Sequence, residues 1–323
     1  MPSLKEIKTR IASVKSTRKI TSAMKMVASS KLHHAQVAIQ NMLPYENLLE
    51  HILKSFLVSM PEPESAFQAS REVKKAALIV FSSNNSLCGG FNASVIKMMA
   101  QAVQEYQSKG IEVSVYPVGL KVAEAVKKLG LQSIGDYRDL ADKPNARQCE
   151  EIASDAARKF LKGEFDKVEI IYHHFKSAGS QILTRKVFLP IDLSTEALGA
   201  DNDRDLSSNQ TSAKVQEYLK KKGEADARQG KDIGIQLNDD FIIEPDMKTV
   251  LQALIPKQLH LMVYTALLDS LASEHAARMV AMQTATDNAD DILHTLNLQY
   301  NKSRQQAITN ELLDMEGGSV QNN

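Results

Sequence analysis

Apolar residues near the start of the chain fall at Leu4, Ile7, Ile11 and Val14. Steps of three and four residues set them along one edge of a helix, as the seam of a coiled coil requires. The seam reads as slipping through Ile20, Met24 and Val27, then resuming at Leu32, Ala35, Ile39 and Met42. The pattern predicts a helix over about Ser3 to Phe56, with Pro44 kinking it or marking where it leaves its partner. At the other end, Lys257 to Glu316 holds neither glycine nor proline, the two residues that most disfavour a helix interior. One unbroken helix there would be roughly 90 Å long at ~1.5 Å per residue, against a radius of gyration of about 20 Å for a compact chain of this size. Such a helix is expected to project and to bury its apolar face on the N-terminal helix. Small residues on its presumed seam, Ala266, Ser270, Ala277, Ala281 and Thr284, let the two axes approach closely.

The middle of the chain changes texture. Ala76 to Phe81 (AALIVF) is a short apolar run of strand type, followed by a Ser/Asn/Gly turn and a helix over about Asn92 to Ser108. Ile111 to Val118 reads as the next strand, Lys121 to Leu129 as a helix ended by Gly130, and Gln148 to Leu161 as an amphipathic helix. Lys167 to Phe175 and Ile182 to Leu189 follow as a strand hairpin. Strands alternating with helices imply a mostly parallel sheet covered on both faces. The fold class read from these patterns is α/β: a long antiparallel coiled coil of N- and C-terminal helices plus a Rossmann-like domain. Its expected divisions are 1–58 for the first helix, 74–193 for the α/β domain, 194–240 for a polar insertion and 246–318 for the last helix. The insertion is charged and poor in aromatics, with DNDRD and KKKGE, and reads as a surface segment with one short helix near Ser212 to Lys222 at most.

Composition narrows the function classes. Lysine plus arginine equals aspartate plus glutamate at 39 each in 323 residues, so the basic excess of a dedicated nucleic-acid binder is absent. Two cysteines, Cys88 and Cys149, are too few for a disulfide framework and suit free thiols in a reducing compartment. From Met1 to Arg18 apolar and basic residues alternate, which is neither a secretory signal nor a membrane span; any membrane association is expected to come through a partner.

Candidate chemistry is sparse. SLCGGFN (Ser86 to Asn92) joins a strand to a helix, where phosphate loops sit, but has neither the GxGxxG spacing nor the lysine and hydroxyl of GxxxxGK[ST]. A tight structural turn is the simpler reading, and no cofactor is expected. His33-His34 and His173-His174 are adjacent pairs whose side chains point in different directions and chelate poorly. Asp201, Asp203 and Asp205 open like a calcium loop, yet Leu206 and Ser212 stand where glycine and glutamate are needed, so no metal is expected. Basic residues crowd the first helix at Lys5, Lys8, Arg10, Lys15, Arg18, Lys19, Lys25 and Lys31, against Glu6 alone. That run is either a solvated face or the complement of an acidic protein surface; nucleic acid fits poorly, because no aromatics interleave. In the last helix Arg278, Gln283, Thr284, Asp287, Asn288, Arg304, Gln305 and Thr309 leave it polar around much of its circumference. Such a helix is either solvated or enclosed by another protein, and periodicity alone does not choose.

Three segments bear on that choice. KEIKTRIASVKSTRKITSAMKMVASSKL (Lys5 to Leu32), SLCGGFN, and SEHAARMVAMQTATDNADDI with LQYNKSRQQAITNELLDMEGGS near the end resemble the best-marked segments of the F-type ATP synthase gamma subunit family, in family order. EPD (Glu244 to Asp246) resembles the family's lead-in to the last helix. The resemblance implies a non-catalytic central rotor shaft in a proton- or ion-driven rotary complex. Its coiled coil would enter a hexamer of alpha and beta subunits, and its α/β domain would stand on the membrane c-ring beside epsilon. The implied site is the cytoplasmic face of the bacterial inner membrane, peripheral, with no direct membrane insertion and no nucleic acid. Carried over residue by residue, the beta-subunit contacts fall on Arg304 and Gln305 in NKSRQQ, Thr309 just beyond, Arg278 in AARMV, and Met24 and Lys25 in the first helix. Met24 is uncharged, as that contact requires, since a cation there would over-stabilise it. The insertion sits where photosynthetic members carry a redox-controlled segment but has no cysteine, so a brake of another kind is the expectation. The rival classes are a static coiled-coil scaffold or nucleic-acid hairpin, and a nucleotide-binding enzyme using SLCGGFN.

Overall fold

A computed structural model of the chain describes residues 3–58, 67, 71–191, 243, 244 and 246–320. The expected insertion, with Asp201, Asp203 and Asp205, lies outside the described residues. The chain forms two compact units: Met1–Ala28 with Arg278–Asn323, and Ser29–Ala277.

Two long helices bracket the sequence, α1 (Leu4–Val58) and α5 (Met247–Val320). Each starts on a side-chain cap. Ser3 N donates to Glu6 Oε2 (2.9 Å) and Glu6 N donates to Ser3 Oγ (3.3 Å), a reciprocal capping box that satisfies amides the helix itself leaves open. Ahead of α5, Asp246 accepts from Thr249 N and from Thr249 Oγ1, both at 2.8 Å. Pro44 and Pro256 both lie inside helices. The first helix runs on for fourteen residues past Pro44, to Val58, close to the expected end near Phe56.

The Ser29–Ala277 unit is built on a five-stranded sheet in the order β3-β2-β1-β4-β5. Its strands are β1 (Lys75–Phe81), β2 (Glu112–Val118), β3 (Gln132–Ser133), β4 (Lys167–Ser177) and β5 (Ser180–Leu189). All neighbours run parallel except β4 and β5, which pair antiparallel as a hairpin. β1 occupies the centre, and from Ala76 to Phe81 every residue is buried. That explains a sequence that is continuously apolar rather than alternating. Helices α2 (Phe91–Ser108) and α3 (Leu120–Lys128) cover one face, with Val95, Met99, Val122 and Val126 packed on Leu78, Val80, Val115 and Ile171. The other face carries α4 (Ala146–Leu161), Leu49 and Leu53 of α1, and Leu251 to Leu271 of α5.

Gly119 joins β2 to α3 with φ of 100°. A Cβ there would lie 2.2 Å from the Ser82 carbonyl oxygen, so the backbone of β1 and the start of α3 meet at a spacing only glycine permits. Gly119→Ala is expected to combine backbone strain of order 1–3 kcal/mol with a main-chain clash, lowering the urea midpoint clearly. An unchanged midpoint would show that this junction can relax.

Candidate functional site: the paired terminal helices

The Met1–Ala28 and Arg278–Asn323 unit consists of the two helix ends packed antiparallel. Two contacts fix the register: Thr21 Oγ1 to Thr286 Oγ1 at 2.8 Å and Arg18 Nε to Asp290 Oδ1 at 2.6 Å. As the number rises in one helix it falls in the other. The buried side chains are Ile7, Thr21 and Ala28 from α1, and Met282, Ala289, Leu293 and Leu296 from α5.

These positions correct the seam expected from apolar residues. The 3,4 spacing begun at Leu4 does not slip: it continues through Arg18, Thr21, Lys25 and Ala28 to Leu32. Ile20 and Val27, placed in the seam by their hydrophobicity, are exposed at 58% and 57%. Each stands one residue away from a seam position, about 100° around the helix. Met24, also placed in the seam by its hydrophobicity, is half-buried, as is Lys25 beside it. On α5, Ala266 and Ser270 are buried and Ala277 and Ala281 half-buried, whereas Thr284 is exposed and does not belong to the seam. The α5 seam here runs through Met282, Thr286, Ala289, Leu293 and Leu296, then half-buried Tyr300, Ser303 and Ala307.

The middle of this seam is polar, which specifies register at a cost in stability. The Arg18–Asp290 pair is half exposed on both sides, so it contributes at most about 1 kcal/mol. Outside the seam, Ile20, Met26 and Val27 on α1 and Val280, Ile292, Leu298, Ile308, Leu312 and Leu313 on α5 are all exposed. That is a large amount of apolar surface for a slender helix pair to leave on its outside.

The six residues singled out from sequence all lie in this unit but form no single cluster. Met24, Lys25 and Arg278 are half-buried; Arg304, Gln305 and Thr309 are exposed. Along α5, Arg278 and Arg304 stand roughly 39 Å apart at ~1.5 Å per residue. The Thr309 hydroxyl donates to the Gln305 carbonyl at 2.9 Å, which leaves its lone pairs facing outward. Sequence reading passed over the Ser3/Glu6 capping box, although S-x-x-E directly before an apolar-periodic run is its signal.

Among the described residues the sheet unit shows no comparable ligand site. SLCGGFN closes on itself: Asn92 Oδ1 accepts from Ser83 N (3.1 Å), and Asn92 Nδ2 donates to Ser83 Oγ (2.8 Å) and Cys88 Sγ (3.2 Å). Leu87 and Gly89 take positive φ to make the turn. The first amides of α3 are occupied too, Leu120 N by Asn84 Oδ1 at 2.8 Å and Val122 N by Ser82 Oγ at 3.0 Å. Beside them a cavity of about 560 Å³ is lined by Asp136, Asp139 and Asp142, with Arg138 already paired to Asp136. Such a lining repels phosphate. Among the described residues no group of histidine, cysteine and carboxylate side chains is placed to hold a metal ion, and no helix is long and apolar enough to cross a membrane.

The adjacent histidines of β4 separate to opposite faces. His174 Nδ1 donates to Asp269 Oδ2 at 2.8 Å on the α5 side. His173 stacks on Phe91 (4.4 Å between centroids) and contacts Ser94 Oγ through Nε2 at 3.1 Å on the α2 side. The Ser94 hydroxyl hydrogen is committed to the Phe91 carbonyl at 2.8 Å, so His173 Nε2–H donates to Ser94 and Nδ1 is left as a buried lone pair. Burial of that ring pushes its pKa down to about 4.

Comparison with known proteins bears on the whole chain. A family model described as ATP synthase matches residues 3–320. A relative from Phocaeicola vulgatus named ATP synthase gamma chain is 52% identical over 321 residues, covering 99% of this chain and all of the relative. The chain belongs to the ATP synthase gamma-chain family. Another family member, from Bacteroides thetaiotaomicron, is 50% identical over 322 residues, covering 99% of this chain and 100% of its own. Among solved structures, the chain is similar in fold to one from the Euglena gracilis mitochondrial ATP synthase (OSCP/F1/c-ring, rotational state 3), with a TM-score of 0.57 and 17% identity over 98% of this chain and 93% of that one. A second, from the rotor of the same organism's enzyme, gives a TM-score of 0.54 at 19% identity over 94% and 98%. A gamma chain is the central-stalk rotor subunit and is non-catalytic; the catalytic sites lie in the beta subunits.

His173 yields a pH test. Unfolded, its ring gains a proton as pH falls through about 6.5, but folded it does so only near 4. Its contribution is therefore full above pH 6.5 and is lost as pH falls toward 4, amounting to about 3 kcal/mol across that window. Urea midpoints measured from pH 7 to 4 are expected to fall less steeply for His173→Asn than for the natural chain. Parallel profiles would contradict the buried, neutral ring.

Proposed function

We propose that the paired helices are enclosed by the ring of alpha and beta subunits, and that the sheet unit engages epsilon and the membrane c-ring. The complex would then work at the cytoplasmic face of the bacterial inner membrane with this chain as its peripheral shaft. The observation that carries this reading is the apolar surface left outside the seam of the helix pair, with polar donors spaced among it. A ring of partners that sets apolar side chains against the first and carboxylates against the second satisfies both. Because the two helices differ in sequence on every side, each orientation of the shaft presents a different surface to each beta subunit. The shaft thereby acts as a ligand that favours a different beta conformation at each step.

The contacts proposed for the beta subunits are Arg304, Gln305 and Thr309, with Met24, Lys25 and Arg278 at the other level. Arg304 and Gln305 are supported by exposure and by standing off the seam set by Tyr300, Ser303 and Ala307. Their side chains are free of the helix packing and can donate outward.

Arg304→Ala with Gln305→Ala removes two such donors. A loss of ~1–2 kcal/mol in a contact made during the cycle should slow rotation-coupled turnover by roughly 5- to 30-fold. Subunit content of the purified complex is expected to stay unchanged, since the helix seam is untouched. Full turnover in an intact complex would remove these residues from the interface. Copurification is also expected to recover alpha and beta subunits in fixed ratio with this chain, and recovery of unrelated partners instead would count against the enclosed shaft.

A further inference from the structure

The chemistry of torque transfer needs a joint that apolar packing alone does not make. In the Ser29–Ala277 unit, Leu259, Val263, Ala266 and Leu267 of α5 are buried in the same core as Val168, Ile170 and Tyr172, which form a row on β4. Dispersion and apolar burial hold such a helix down, but they are non-directional. The next residue of the same β4 row is His174. It meets Asp269 at 2.8 Å, with His174 5% and Asp269 0% exposed at the side chain. One turn along α5, Ser273 Oγ donates to the backbone carbonyl of His173 at 3.2 Å. Two directional bonds, one to a side chain and one to the strand's own backbone, thus grip the same flank of the helix where it crosses the far half of β4.

We infer that His174, Asp269 and Ser273 form the torque joint of the subunit: they lock α5 against rotation on the sheet, so that a moment applied to the sheet is carried into the helix. They are positioning residues and touch no nucleotide. A charge-bearing hydrogen bond in a dry interface is steep in distance and angle, and so resists rotation in a way that leucine contacts do not. α5 continues without interruption from these residues to Val320, through the positions proposed to meet the beta subunits. The inference rests on the shaft reading above.

The test uses the assembled complex in inverted membrane vesicles, reading ATP-driven proton uptake per ATP hydrolysed. Replacing both partners by apolar residues keeps packing while deleting the directional bond. The double variant His174→Leu with Asp269→Leu is expected to assemble and hydrolyse ATP near the natural rate, yet to lose at least threefold in protons moved per ATP. His174→Gln, whose amide can still donate to Asp269, is expected to retain most of the ratio, as a merely structural role would not require. If the double variant fails to assemble, Ser273→Ala, which deletes the second bond with little change in volume, takes its place, with a twofold loss in the ratio expected. A natural ratio in whichever variant assembles overturns the joint. Absence of pumping with the natural chain would instead overturn the shaft reading on which it rests.

Discussion

Terminal segments rich in helix formers, and free of glycine before Gly89 and between Gly234 and Gly317, must bury a seam, and each of the two terminal helices supplies the other's partner. That constraint sets the antiparallel register, and through it decides which residues are left outside. Seam positions repeat every three and four residues whatever side chain occupies them, so Arg18, Thr21 and Lys25 hold seam positions between apolar stretches. Polar seam residues define the pairing through Thr21–Thr286 and Arg18–Asp290 while adding little stability. The same geometry turns Ile20, Met26 and Val27 outward into the exposed apolar surface on which the proposed enclosure rests.

In the sheet unit, the described turns where a fold of this kind commonly holds a ligand are filled by the chain's own side chains. The first amides of α3 are already occupied by Ser82 and Asn84, Asn92 ties down the loop that follows β1, and the adjoining cavity is acidic. Histidines that resemble a chelating pair serve instead as spacers and ties, one against Phe91 and Ser94, the other against Asp269. On the α2 face, Glu169 is buried, which by itself raises a carboxyl pKa. Hydrogen bonds from Lys167 and Arg185 outweigh that and hold it below the usual range. Polar groups in this unit are thus spent on fixing helices to strands, as a body that transmits force requires.

Much of this was legible in the residues themselves. AALIVF reads as a buried central strand because a strand covered on both faces needs no polar alternation, and β4 and β5 are bounded by a clear turn at Ala178 and Gly179. The two-residue strand Gln132–Ser133 and the 3-10 turn at Arg138–Ala141 carry no periodic signal and escaped. Apolarity misplaced the seam at Ile20 and Val27, where counting threes and fours from Ile7 would have kept it, and small size misplaced it at Thr284. The His174–Asp269 tie joins residues 95 apart in sequence, a juxtaposition that local pattern does not encode. Of the six contact positions, spacing alone marks only that Arg304, Gln305 and Thr309 stand off the seam; their role came from resemblance.

Pairing of the terminal helices in this one register is the claim beneath the rest, and cysteine substitution at its polar rung tests it most directly. The hydroxyl oxygens of Thr21 and Thr286 lie 2.8 Å apart, so cysteines in their places should oxidise readily to an intramolecular disulfide. Natural Cys88 and Cys149 are buried and should not compete. The expected result is rapid disulfide formation for Thr21→Cys with Thr286→Cys, and little for Ile20→Cys with Thr286→Cys. The reverse pattern, or no bond at either pair, would mean that the helices do not meet along this seam.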